Sequence, residues 1–362
     1  LYFLFGIMDT KGLLKKYKKD IDSELRKFFD SRINRVKNID VSALELMEIL
    51  KEFTMNGGKR IRPILVILGY KCVGGRDERE IIKAALCVEL MQSFLLIHDD
   101  IIDDDELRRG NPTVHKVYED RYKRDYPAID SKKFGKDMGI ITGDIGSILG
   151  SEVILETKFS SQLKVRALEK FNRVVVNTAF GEMLDILSGV KQEINEEDIL
   201  KIHKLKTALY TIEGPLHIGA ILGEASKEQM DVLSKFAISL GQAFQVQDDI
   251  LGMFGSVETI GKPVGSDLKE GKKTLLIKKA LEKANNKDKK VVMKSLGNKN
   301  VSKKDVEMVK EIIVKTGSLD YSKELANEMV MKAKHFLCNG DLKRDGKEFL
   351  LGLADYVVKR KC

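Results

Sequence analysis

Five carboxylates fall within seven residues: Asp99, Asp100, Asp103, Asp104 and Asp105, broken only by Ile101 and Ile102. On a helix Asp99 and Asp103 are four apart and Asp100 and Asp103 three apart, so they share a face. Carboxylates that close together repel one another, and behind an apolar stretch such as Phe94–Ile97 they are costly unless cations neutralise them. One reading is a solvated acidic helix end with Asp104–Arg108 and Asp105–Arg109 pairs, which would contribute only about 0.2–0.5 kcal/mol each. The other is metal binding, for which hard oxygen donors with room for water suit Mg2+. A second pair, Asp248-Asp249, ends the segment Gln245-Val246-Gln247-Asp248-Asp249 after another apolar stretch. Both clusters sit near helix C-termini, where the macrodipole is already negative. Two such clusters on long helices can face each other across a bundle cavity.

Basic groups complement them. Gly57-Gly58-Lys59-Arg60-Ile61-Arg62-Pro63 gathers three cations at a helix start. The dipole disfavours cations there, but backbone N–H groups with Lys and Arg make an anion site. A surface basic turn is the alternative. No P-loop pattern GxxxxGK[ST] occurs. Gly261-Lys262-Pro263-Val264-Gly265-Ser266-Asp267 and Gly271-Lys272-Lys273-Thr274 form a second Gly/Lys-rich stretch, and Lys206-Thr207 is a lone cation and hydroxyl inside a helical pattern.

The elements that carry these groups read as helices. Only 5 prolines occur in 362 residues, and Leu86, Leu90, Phe94 and Ile97 recur at the three- and four-residue spacing of an apolar helix stripe. Helices are predicted at about 11–37, 43–55, 63–73, 79–108, 113–122, 138–157, 162–190, 196–222, 227–254, 274–285, 303–315, 318–338 and 342–360, with boundaries uncertain by two to four residues. Pro215 after Gly214 should kink the 196–222 helix. Residues 255–267 read as a loop, 122–136 as a surface insertion, and 283–304, rich in Lys and Asn, as an exposed connection. Length alone suggests two domains. With no repeat and no Gly/Ser linker, one large all-α domain over residues 8–362 fits better. Leu1–Ile7 precede the first Met and read as a remnant or a disordered start.

Composition narrows the class. Net charge is 63 − 55 = +8, with 43% hydrophobic and 33% charged residues, which rules out wholesale disorder. The 4 Cys form no CxxC and no Cys/His cluster, so neither a disulfide framework nor a zinc site is indicated and a reducing, cytoplasmic compartment is expected. The best candidate for a membrane span, Ala84–Ile97, is 14 residues long and interrupted by Glu89, so no transmembrane segment is expected. The positive charge alone would suit a nucleic-acid or membrane surface, but no binding motif supports that.

In order along the chain, GGKRIRP, DDIIDDDELRRG, Lys206-Thr207, FQVQDD and GKPVGSDLKEGKKT make the sequence resemble short-chain trans-polyprenyl diphosphate synthases, the farnesyl and geranylgeranyl diphosphate synthase family. The resemblance runs from about Lys51 to Lys279. It implies the isoprenoid synthase fold, a large all-α single-domain bundle around a deep central cavity, and a homodimer. It implies Mg2+-dependent head-to-tail condensation of isopentenyl diphosphate with dimethylallyl, geranyl or farnesyl diphosphate. Asp99, Asp100, Asp103, Asp248 and Asp249 match positions that bridge three Mg2+ to the allylic diphosphate. Arg108, Lys206 and Lys262, with Lys272, match groups that hold diphosphate. Lys59, Arg62, Gln92 and Arg109 match isopentenyl diphosphate positions. Thr207 and Gln245 match residues near the reacting carbons, and Asp185 matches a further acidic position. The tail 359–361 matches one that closes over the site in the family, or is a frayed terminus.

Two departures stand out. Gly252 replaces the third Asp that many members carry in the second motif. Phe94 and Leu95, at the floor of the product pocket by resemblance, place one aromatic where animal-type farnesyl synthases have two, which favours the twenty-carbon product with the fifteen-carbon product released in part. A terpene cyclase, which would not need Lys59 and Arg62, and a non-catalytic partner subunit, which would tend to lose the aspartates, are the rival readings. No role is evident for His115, His203, His217 or His335, and His98 is expected to point away from the aspartates.

Overall fold

The structure is a computed structural model in which residues 10–191, 193–255 and 264–358 are described. The fold is all-α, as expected, with one two-stranded hairpin as the only sheet among the described residues. The helices divide into two compact units: one runs up to Phe171 and includes Ile218–Glu224, and the other comprises Asn172–His217 and the chain from Ala225 onward.

The first unit holds α1 (Thr10–Val36), α2 (Val41–Met55), α3 (Ile61–Cys72), α4 (Glu78–Ile102), α5 (Val114–Asp125), α6 (Ser131–Leu155) and the start of α7 (Ser161–Val190). Side-chain caps set the starts: Asp40 accepts from the Ser42 N–H at 2.7 Å and Asp77 from the Glu80 N–H at 3.0 Å. The central helix α4 packs mainly on α6 and α3 and buries Ile81, Ala84, Ala85, Leu86, Val88, Leu90, Met91 and Ile97; of the stripe read from the sequence, Leu86, Leu90 and Ile97 are buried and Phe94 is half-buried.

The predicted 79–108 helix stops earlier. Asp104 takes a left-handed φ of 55°, and the Asp103 and Asp105 N–H groups bond back to the carbonyls of Asp99 and Asp100 at 2.9 Å. This is a C-terminal stop with an Asp in the position usually given to glycine. Strands β1 (Leu107–Arg108) and β2 (Asn111–Pro112) follow. Between them Arg109 and Gly110 both have positive φ, 54° and 78°, the pattern of a tight type I′ hairpin turn. The Asp104–Arg108 and Asp105–Arg109 helix pairs of the alternative reading are therefore not the arrangement: the hairpin sends Arg108 to Asp99 and Asp100 and Arg109 to the Asn56 carbonyl.

The second unit contains the rest of α7, α8 (Glu196–Ile202), a π-helical segment (His203–Glu213), the start of α9 (Gly214–Leu222), and α10 (Lys227–Phe254). Shorter helices follow at Ser266–Glu270, Leu275–Lys283, Asn286–Ser295 and Lys303–Lys315, then Ser318–Asn339 and Arg344–Val358. Reciprocal capping boxes start α8 (Asn195 with Asp198) and α10 (Ser226 with Gln229). Pro215 lies two residues past the end of the π segment at Glu213, so the predicted 196–222 helix is continuous but widened just before the proline. The connection expected at 283–304 contains a capped helix, and the insertion at 122–136 already holds the first turns of α6. Both misses come from judging lysine-rich, polar stretches by composition when an N-cap, Asn285 or Asp130, starts a helix.

Two helices, α4 and α6, are long and apolar enough to cross a membrane by length and composition, with mean hydropathy 1.6 and 1.4. The first is mostly buried within protein, and its Glu89 pairs with the buried Arg60, as befits a core helix.

Candidate active site

In the first unit, two groups of side chains converge. The turn between α2 and α3 holds Gly57–Arg60. Arg60 is the N-cap of α3 in a left-handed conformation (φ 55°), and its guanidinium is fully buried. It donates to Asp22 Oδ1 at 2.8 Å, to Glu89, and to the Thr54 carbonyl at 2.9 Å. Arg60 is therefore a structural anchor, while its neighbours Lys59, exposed, and Arg62, half-buried, flank it. Arg109 comes back from the hairpin to donate to the Asn56 carbonyl at 3.0 Å, running past Gly57, where a Cβ would meet its Cδ at 3.3 Å. Desolvation lowers the Arg109 pKa, and the nearby Arg108, Arg60 and Arg62 push the same way against Glu89. Such a concentration of guanidinium charge suits an anion. Gln92 is buried on α4, with Oε1 unpartnered among the described residues.

The second group is the first aspartate cluster. Arg108 donates to Asp100 Oδ1 at 2.5 Å and to Asp99 Oδ2 at 3.1 Å. Asp100 is completely buried. Burial pushes its pKa up to about 6, Arg108 opposes that, and the Asp99 and Asp105 charges add to it. Its second oxygen, Oδ2, is buried without a hydrogen-bond partner among the described residues. Asp103 caps α4. Asp104 faces away, held by Lys132 at 3.0 Å and Lys136 at 2.9 Å. Phe94 packs edge-on against His98 with ring centroids 4.9 Å apart, and Leu95 is half-buried. The His98 ring reaches the Ile140 carbonyl at 3.1 Å, away from the aspartates as expected.

In the second unit, one cleft is lined by Asp185, His203, Lys206, Thr207, Gln245, Asp249, Asp267 and Lys272 among others. Two glycines allow the close approaches behind it. A Cβ on Gly181 would lie 2.4 Å from the Lys206 nitrogen, and one on Gly241 would lie 2.4 Å from the Ala208 Cα, so α7 and α10 meet the π segment backbone to backbone. Lys206 consequently reaches Glu182 at 2.7 Å and Asp185 at 2.8 Å. Thr207 Oγ1 donates to Gln245 Oε1 at 2.6 Å, and Gln245 Nε2 donates to Asp249 Oδ1 at 2.8 Å. Asp249 is buried, with Oδ2 lacking a hydrogen-bond partner among the described residues, while Asp248 is exposed. Lys272 pairs with Glu270 at 2.5 Å. Lys262 and the tail 359–361 lie outside the described residues.

Sequence reasoning missed Glu182, His203, Asp267 and the role of Arg60. Asp267 stands inside the quoted GKPVGSD stretch, and its carboxylate lies 2.9 Å from where a Cβ on Gly252 would be, so a side chain at 252 would displace it. His203 had no apparent partner in the sequence. The structure places its Nε2 3.3 Å from Asp249 Oδ2. His217 lies between Glu213 and Ser234, and His115 is buried.

Each aspartate motif thus carries a buried carboxylate oxygen with spare acceptor capacity beside positive charge or an N–H donor. That fits Mg2+, which takes one or two carboxylates and completes its shell with water and substrate phosphate oxygens. Among the described residues no three His, Cys, Asp or Glu side chains form a ready-made metal cage.

An all-α scaffold with carboxylate pairs at the ends of long helices, flanked by Lys and Arg, defines an enzyme of the isoprenoid synthase fold. The pattern of the Polyprenyl synthetase family matches residues 44–313. A geranylgeranyl diphosphate synthase from Sulfolobus acidocaldarius is 32% identical over 343 residues, 92% of this chain and 98% of the relative. A geranylfarnesyl diphosphate synthase from Aeropyrum pernix is 33% identical over 309 residues, 84% of this chain and 91% of the relative. The crystal structure of geranylgeranyl pyrophosphate synthase from Corynebacterium glutamicum, complexed with isoprenyl diphosphate and magnesium, superposes with a TM-score of 0.91 at 29% identity, covering 96% of this chain and 99% of that one. The chain belongs to the polyprenyl synthetase family and is a trans-prenyltransferase, as the resemblance implied.

Proposed function

We propose that the chain condenses isopentenyl diphosphate head to tail with allylic diphosphates to make geranylgeranyl diphosphate and, in part, farnesyl diphosphate, releasing diphosphate. The observation that carries this reading is the matched pair of buried, spare carboxylate oxygens, Asp100 Oδ2 and Asp249 Oδ2, on the two motifs that the family resemblance assigns to metal.

Asp99, Asp100, Asp103, Asp248 and Asp249 would hold the Mg2+ ions, three by resemblance; bound there, Mg2+ supplies positive charge for the leaving diphosphate. Arg108, Lys206, Lys262 and Lys272 take the allylic diphosphate, and their charge stabilises the anion that develops as the C–O bond breaks. Lys59, Arg62, Arg109 and Gln92 hold isopentenyl diphosphate. Its double bond attacks the allylic cation, and a proton then leaves. Thr207 and Gln245, locked to each other at 2.6 Å, present fixed dipoles near the reacting carbons. The departing diphosphate is the base; Asp185, the other candidate, is engaged by Lys206 at 2.8 Å. Phe94 and Leu95 set the floor of the product pocket within a single domain.

A homodimer is part of this reading. It is supported by the exposed stripe Val176, Phe180, Met183, Leu187 and Val190 on α7, whose alternating four- and three-residue spacing makes one apolar face. On α6 of the other unit Ile140, Ile141 and Ile148 are likewise exposed. A cytoplasmic location completes the reading.

Purified protein with Mg2+, isopentenyl diphosphate and each allylic starter in turn tests it, with product mass and diphosphate release measured. A twenty-carbon diphosphate is expected, and its loss in Asp99→Ala and Asp248→Ala without loss of helicity. No elongation with any starter would sink the reading; cyclic hydrocarbon from farnesyl diphosphate alone would replace it with a cyclase.

A further inference from the structure

We infer that His203 is a positioning residue for the second aspartate motif: its imidazole, with Nε2 3.3 Å from Oδ2, backs the Asp249 carboxylate and holds it in place for the metal. The inference rests on the reading of Asp249 as a metal ligand.

His203 and Thr207 lie four residues apart on the π segment, and Asp249 and Gln245 four apart on α10. The two elements meet as a ladder with two rungs. One is the Thr207–Gln245 hydrogen bond at 2.6 Å, and Gln245 passes its constraint to Asp249 Oδ1 at 2.8 Å. The other is His203 Nε2 at 3.3 Å from Asp249 Oδ2. Asp249 is thereby bracketed, one oxygen by the Gln245 amide and the other by an imidazole. At 3.3 Å the second contact lacks hydrogen-bond alignment, so Oδ2 retains spare lone-pair capacity.

The tautomer follows from the partners. His203 is 6% exposed, and its Nδ1 is buried with no hydrogen-bond partner among the described residues. A proton on Nδ1 would be an orphaned buried donor, so the proton is assigned to Nε2, facing Asp249. An imidazole in this place restrains the carboxylate from behind. Groups that hold a ligating side chain from behind typically change metal affinity about 10- to 100-fold when removed.

The test is a Mn2+ titration followed by electron paramagnetic resonance, in the presence of inorganic diphosphate and without turnover. It compares the wild-type chain, His203→Ala, His203→Gln and Asp249→Asn. Glutamine is the conservative replacement because its amide N–H reaches roughly where Nε2 sits. His203→Ala is expected to weaken Mn2+ binding about tenfold or more, and His203→Gln to stay within about threefold of wild type. In steady state the Mg2+ concentration for half-maximal rate should rise with the Mn2+ dissociation constant, while the KM for isopentenyl diphosphate is unchanged. If the alanine variant does not fold, His203→Asn, too short to reach Oδ2, takes its place with the same expectation. Wild-type affinity in the alanine or asparagine variant, or equal weakening in the glutamine variant, overturns the role of His203. Wild-type affinity in Asp249→Asn instead overturns the metal assignment beneath it.

Discussion

Arg60→Met is the perturbation whose cost follows most directly from the structure. The guanidinium is fully enclosed, and Glu89 beside it is 8% exposed. Methionine fills much of the stem's space but leaves Glu89 buried beside no cation, and leaves the Thr54 carbonyl, which accepts from Arg60 at 2.9 Å, without that donor. Removing one partner of a buried ion pair costs about 3–5 kcal/mol, and an orphaned buried acceptor about 1–3 kcal/mol. Asp22 adds less, because Lys18 also pairs with it and it is partly open to water. The low ends of these ranges sum to about 4 kcal/mol, a large part of the roughly 5–15 kcal/mol that holds typical domains folded. Urea unfolding followed by circular dichroism measures it. The double variant Arg60→Met, Glu89→Gln should recover roughly half the loss, since the uncompensated charge is gone. At temperatures where the single variant is still folded, the KM for isopentenyl diphosphate should rise, because Lys59 and Arg62 lose the anchor between them, while the KM for the allylic substrate changes less. A loss below about 1 kcal/mol, or no recovery in the double variant, would refute the view that a buried ion pair holds this turn.

Further outcomes follow from other contacts. Asp104 has its pKa held down to about 2, first by hydrogen bonds from Lys136 and Lys132; because the folded value lies below the ordinary value near 3.9, the pair stabilises the fold above about pH 4 and loses that contribution as pH falls toward 2. Since Asp104 is half exposed, the difference between wild type and Asp104→Asn should stay below about 1 kcal/mol at pH 7 and vanish near pH 2 in pH-dependent unfolding; a constant difference across that window would contradict the assignment. Gly241→Ala puts a methyl 2.4 Å from the Ala208 Cα, so a stability loss of about 1–3 kcal/mol is expected, with kcat falling further than stability explains as α10 is pushed off the π segment. Phe180→Asp, in the exposed α7 stripe, should convert the proposed dimer to a monomer in sedimentation velocity; an unchanged mass would remove that face from the proposed interface.

Helical periodicity reveals most of the elements because an amphipathic helix repeats its burial every three to four residues, and α7, α10 and Lys303–Lys315 match their predicted spans within a residue. The aspartate motifs stood out for a related reason: carboxylates crowded behind an apolar helix call for positive charge, which Arg108 supplies to Asp99 and Asp100. Asp104 shows where composition stops. Local spacing offered Arg108 as its partner, yet the left-handed stop at Asp104 and the hairpin after it send Arg108 to Asp99 and Asp100 and leave Asp104 to Lys132 and Lys136.

By itself, then, the sequence determined the helical class, the family, and the residue types proposed to meet metal and diphosphate. These depend on residue chemistry and on spacings within a turn or two of helix, which one chain segment carries whole. Only the tertiary structure decided that Arg60 is a buried anchor between Lys59 and Arg62, that Glu182 and Asp185 share Lys206, and that His203 stands behind Asp249. Each of those pairings joins residues about 20 to 50 apart in sequence. Their proximity depends on which helix faces meet, and at Gly181 and Gly241 on backbones close enough to exclude a single methyl group.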